Sequence, residues 1–151
     1  MEQRERAVWE RVTAKNGITP ETALLPERFA VLIAQEKGSA DAFRQLAARL
    51  NGADVVLIRR LRAESENRVR QLNALYFLIS GLRPDIRGEH VPFHADRCDA
   101  LREAYLSAHA QQNRYQKTAA EFPAYDGVLN GFAAELQHEL QTISQILQHC
   151  M

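Results

Sequence analysis

The sequence predicts an all-α domain, a bundle of four long helices preceded by a short N-terminal helix. Three observations lead there. Glycine and proline fall almost entirely between long segments, and those segments carry apolar residues at spacings of three and four. No stretch alternates apolar and polar residues as a half-buried strand does. At 151 residues, 46% of them hydrophobic, the chain has enough apolar surface for one packed domain.

Residues 3–15 predict a short amphipathic helix with Ala7, Val8, Trp9 and Val12 on its apolar side, Trp9 capping the end or side of the bundle. NGITPETALLPE reads as a linker, so residues 1–25 form an N-terminal helix and linker and residues 26–151 the bundle. Pro26 suits the first turn of the first long helix, which spans about residues 26–50 and is closed by Asn51-Gly52. Asp54 is the expected N-cap of the second, about 55–80, with Gly81 as its stop. An irregular connection, LRPDIRGEHVPFHAD, leads to a third helix over about 96–122, opened by Asp96 and ended by Phe122-Pro123. Asp126-Gly127 begins the fourth, about 127–149. Short connections make helices one and two, and three and four, antiparallel hairpins. The longer middle connection allows helix three to run parallel to helix two.

Charge excludes several partners. The 19 basic and 19 acidic side chains balance and are interspersed at helical spacing, so neither nucleic acid nor an anionic membrane finds a charged footprint. No apolar run approaches the length of a membrane span, and the charged N-terminus lacks a signal-peptide core, which predicts a cytoplasmic location. Cys98 and Cys150 stand far apart, with no C-x-x-C; two reduced thiols are expected over a disulfide.

The chemistry-bearing pattern is Glu135 and His138, three residues apart in AAELQHELQTISQIL and so on one helix face. Glu64-Ser65-Glu66-Asn67 echoes that spacing with Asn67 where a histidine would stand. Glu36 lies on an otherwise apolar stripe with Ile33, Ala40 and Phe43, where a carboxylate is costly to bury unless paired or metal-bound. Glu64 lies on a comparable face with Leu57, Leu61, Leu72 and Leu75; the bland alternative is an i,i+4 ion pair with Arg60 or Arg68. Asn67 suits a hydrogen-bond network with Glu36 or Glu64 better than metal ligation. His138 is balanced between a metal ligand and a hydrogen-bonded core histidine. His90, His94 and His149 are expected on the surface, and Tyr76, Tyr105 and Tyr115 in packed helix seams.

With these residues in place, the chain resembles the rubrerythrin-like branch of the ferritin-like superfamily over residues 27–149. Glu36, Ala40, Phe43 and LAARL match its first helix, and Glu64 with ALYFLISG its second. Tyr115 matches the third, where Ala108 takes the place of a glutamate, and Glu135 with His138 matches the fourth. The resemblance implies a one-crossover four-helix bundle, a metal site on Glu36, Glu64, Glu135 and His138, and peroxidase- or ferroxidase-type redox activity if two irons are held. Lacking a rubredoxin-like cysteine pattern, such an oxidoreductase needs an external electron donor, and pairing along helix faces makes a homodimer expected. Three outcomes are open: a weakened diiron site, a mononuclear iron, zinc or manganese site, or a metal-free bundle acting as a structural or interaction protein. No catalytic residue is assignable.

Overall fold

A computed structural model describes residues 20–150, with side chains from residue 24. The predicted N-terminal helix with Trp9 lies outside the described residues. Four long helices make up the rest: α1 (Pro20–Ala47), α2 (Gly52–Ser80), α3 (Arg97–Glu121) and α4 (Asp126–Leu147), with single 3-10 turns at Pro123–Tyr125 and Gln148–Cys150.

Each helix turns a strip of residues spaced alternately three and four apart into the core. Phe29, Leu32, Phe43 and Leu46 come from α1, Ile58, Leu61 and Leu72 from α2. Leu101, Ala104, Ala108, Tyr115 and Ala119 come from α3, Leu129, Phe132, Leu136, Ile143 and Ile146 from α4. A stripe of this period keeps one side of each helix on its neighbours.

The boundaries follow the local chemistry, with two corrections. α1 already includes Pro20, so Pro26 lies inside it instead of opening it. The proline removes one backbone donor, but Leu25 and Phe29 beside it are buried and hold that turn against the core. Asp54 does not cap α2: the cap is Asn51, and Asp54 sits in the first turn, where its carboxylate meets His149 Nδ1 at 3.0 Å. Gly81 ends α2 as expected, at a φ of 76° that favours glycine, its N–H donating to Phe77 O. Asp96 caps α3, accepting from Cys98 N at 2.8 Å.

The middle connection fixes the topology. Lys37 Nζ donates to Ile86 O at 2.6 Å, Glu89 N to Ala34 O at 2.9 Å and Arg49 Nη2 to Ala95 O at 2.6 Å. Residues 81–96 thus climb alongside α1 and deliver the chain to the other end of the bundle. At the opposite end Arg28 pairs with Glu121, so α3 runs antiparallel to α1 and parallel to α2. α1 packs on α2 and α3, and α4 on α3, with a slighter contact between α2 and α4. Among the described residues no helix is long and apolar enough to cross a membrane.

The expectation of two reduced cysteines is overturned. Cys98 at the start of α3 and Cys150 after α4 form a disulfide across a Cα separation of 5.8 Å. The fold brings the end of α4 back beside the start of α3, which nothing in the spacing of 52 residues reveals. Cross-linking so long a segment restricts the unfolded chain. Cys98→Ser with Cys150→Ser is therefore expected to lower the unfolding free energy by about 2 to 4 kcal/mol, measured in urea against the oxidised protein; an unchanged midpoint would show that the bond contributes nothing.

Candidate functional site

The centre of the bundle is polar. Arg68 of α2 is fully buried, as are Glu36 of α1 and, at 1% exposure, Glu139 of α4. Buried arginines are rare and persist only where their donors are met. Here Arg68 Nε donates to Glu36 Oε2 at 2.7 Å and Nη1 to Glu135 Oε1 at 3.0 Å. Nη2 donates to Glu139 Oε1 at 3.0 Å and to Ser65 Oγ at 3.2 Å. One planar cation therefore joins α1, α2 and α4, and α3 enters through Tyr115, whose hydroxyl donates to Glu36 Oε2. The Tyr115 ring is held edge-on against Phe132, centroids 5.4 Å apart.

Burial sets the protonation of this cluster. It pushes the Glu139 carboxyl up to about 8, against the opposing pull of Arg68 and with a further push from Glu36. Glu139 is accordingly mostly neutral at pH 7. For Arg68, burial alone favours losing the proton, but the Glu36 and Glu139 carboxyls outweigh it and hold the guanidinium more firmly charged than usual. Burial, then the neighbouring Glu36, raises the Tyr115 hydroxyl well above the ordinary tyrosine value, so it stays a donor. Glu36 Oε1 is buried with no hydrogen-bond partner among the described residues.

The four candidate metal ligands are not gathered at one point. Glu36 is inside as expected. Glu135 reaches the cluster from the flank, its side chain 45% exposed, and meets Glu36 only through Arg68. Glu64 is half-buried beside the cluster, and His138 is exposed. Helix geometry explains this. On α4 the inward positions are Phe132, Leu136, Glu139 and Ile143; His138 is turned about 100° from Glu139 and about 200° from Leu136. On α2 the inward positions are Ile58, Leu61, Ser65, Arg68 and Leu72, which leaves Glu64 about 100° from Ser65.

Other expectations need correcting. Asn67 is exposed and accepts from Arg70 at 3.5 Å, so it joins no core network. The i,i+4 surface pair on α2 is Arg62–Glu66 at 3.2 Å, not a pair with Glu64. Ala108 faces inward on the Tyr115 stripe, so the position is interior but carries no ligand atom. His94, expected on the surface, is half-buried, its Nε2 shielded and without a partner among the described residues.

Arg68 and Glu139 were not singled out by sequence. The signal was present: Leu61, Ser65, Arg68, Leu72 and Leu136, Glu139, Ile143 continue their apolar stripes without a break. Among the described residues no group of three or more His, Cys, Asp or Glu side chains is disposed to hold a metal ion. The three carboxyl groups that face one another do so around a guanidinium. Comparison with protein-family models, with curated proteins and with solved structures returned no match.

Proposed function

We propose that this protein is a ferritin-like bundle of the rubrerythrin type in which Arg68 stands where such bundles hold metal, and that it serves as a metal-independent structural or interaction protein. Support for the ferritin-like relation comes from the crossing connection, with α2 and α3 parallel, and from Glu36, Tyr115 and Glu135 near the bundle centre. The metal-independent reading is carried by one observation: three nitrogens of Arg68 are aimed at carboxyl oxygens of Glu36, Glu135 and Glu139.

A divalent ion does not fit this arrangement. The guanidinium fills the space between the carboxyl groups and occupies the oxygens a hard cation would need. Adding two further positive charges beside a buried cation is unfavourable at low dielectric. Carboxylate–guanidinium contacts also transfer no electrons, so the redox chemistry of a diiron centre finds no counterpart in these residues.

The test is elemental analysis of protein purified without a metal-affinity tag, with calorimetry in the presence and absence of chelator. Substoichiometric metal and an unchanged Tm in chelator are expected. One or two irons, zincs or manganeses per chain, lost in Glu135→Ala, would overturn the proposal and return the chain to the metal-binding class.

A further inference from the structure

A cavity of about 300 Å³ lies away from the Arg68 cluster, between the second half of α1, the first half of α3 and the crossing connection. This volume is at the small end of ligand pockets. Its floor is apolar, with Phe43, Leu46 and Ala104 all buried. Its space comes from small side chains, Ser39 and Ala42 on α1 and Ala100, Ser107 and Ala110 on α3, which leave volume between the two helices unfilled.

The outer wall is fixed rather than loose. Gly38 lets the connection approach α1 closely: a Cβ there would lie 3.1 Å from both Cβ and O of Glu89. Beside it, Glu89 N bonds Ala34 O, and Lys37 bonds Ile86 O. The cavity is therefore formed before any ligand arrives, which lowers the ordering cost of binding.

Two nitrogen-bearing groups line it with capacity to spare. Arg49 uses Nη2 on Ala95 O and rests over the Phe93 ring, 5.2 Å from its centroid; among the described residues its other nitrogens make no hydrogen bond. His94 keeps Nε2 buried without a partner among the described residues, and a buried polar atom left so is costly. Both are half-buried, whereas the carboxylates that also line the cavity, Glu89 and Glu103, are exposed. A ligand's negative end thus meets the half-buried Arg49 guanidinium, with His94 beside it, and solvent screens the two acids.

From this we infer that the cavity is a binding site for a small amphipathic monocarboxylate, its hydrocarbon part on Phe43, Leu46 and Ala104 and its carboxylate at Arg49 and His94. The inference goes beyond the proposed function and does not depend on it. A charge-assisted bond to a guanidinium in a partly closed site distinguishes an anion from its neutral or cationic counterpart.

The full chain, titrated with octanoate, 1-octanol and octylammonium and followed by amide chemical shifts, tests this. Octanoate is expected to bind saturably in the sub-millimolar range, shifting residues on both walls, and about tenfold more tightly than either counterpart. Arg49→Gln is expected to erase that preference. Ser107→Trp, a substitution at an exposed position on the cavity edge, fills the space and is expected to abolish binding of every probe while leaving the fold intact. Octanol or octylammonium binding as tightly as octanoate, octanoate binding that survives Ser107→Trp, or no saturable shift would each overturn the assignment.

Discussion

Replacing Arg68 by Met is expected to lower the unfolding free energy by about 3 to 5 kcal/mol, the usual range when one partner of a buried ion pair is removed. The loss does not measure the attraction between Arg68 and its partners. It arises because Glu36, fully buried, keeps among the described residues only the Tyr115 hydroxyl as a donor, with one oxygen already unpartnered there. An isolated carboxylate in such surroundings is strongly disfavoured. The second variant is therefore the informative one. Arg68→Met combined with Glu36→Gln removes both charges and leaves Tyr115 an amide oxygen to bond. It is expected to recover most of the stability, as neutral replacements of buried ion pairs generally do. Urea unfolding of wild type, single and double variants decides the matter. A single variant costing less than about 1 kcal/mol would place Arg68 in contact with water and remove the basis of the central cluster.

Stability is expected to fall as pH rises from about 5 to 8, with Glu139 responsible. The folded protein holds the Glu139 proton up to about 8, while the ordinary carboxyl releases it near 4.5. Between those values the folded chain binds more protons than the unfolded one, so raising the pH favours unfolding. The contribution is fully present below the unfolded value and is lost as pH rises through the folded one. Its steepest slope is about 1.4 kcal/mol per pH unit. Arg68, Glu36 and Glu64 act on the Glu139 carboxyl, and Glu135 shares Arg68 with it. Glu139→Gln keeps an oxygen for Arg68 Nη2 but cannot titrate, so its stability should be nearly level over this range. Urea midpoints at three pH values compare the two proteins. Equal pH dependence in wild type and Glu139→Gln would assign the effect elsewhere.

The four helices were legible because their signals are local: apolar spacing of three and four, Gly81 after α2, Asp96 before α3. The start of α1 was not, because NGITPETALLPE with its two prolines reads as a linker up to Pro26, whereas the helix already runs through Pro26 with Leu25 and Phe29 packed into the core. At the centre, Glu36 was legible as a carboxylate on an apolar stripe. Arg68 was not, since arginines in RRLRAESENRVR ordinarily face water and the inward strip of α2 runs through Ser65, one residue from the expected Glu64. The same one-residue offset on α4 exchanges His138 for Glu139. The disulfide depended on which helix ends meet, a property of the whole topology.

The charged layer also has a consequence for how the helices align along their length. Helices with a seven-residue repeat can slide past one another by one repeat and still match hydrocarbon to hydrocarbon. One repeat either side of Glu36 stand Phe29 and Phe43; of Arg68, Leu61 and Leu75; of Glu139, Phe132 and Ile146. A slip of α1, α2 or α4 therefore sets a charge or a carboxyl against purely apolar neighbours and strands its partners. The guanidinium works as an index mark, admitting a single axial register for the bundle where an uninterrupted apolar core would admit several.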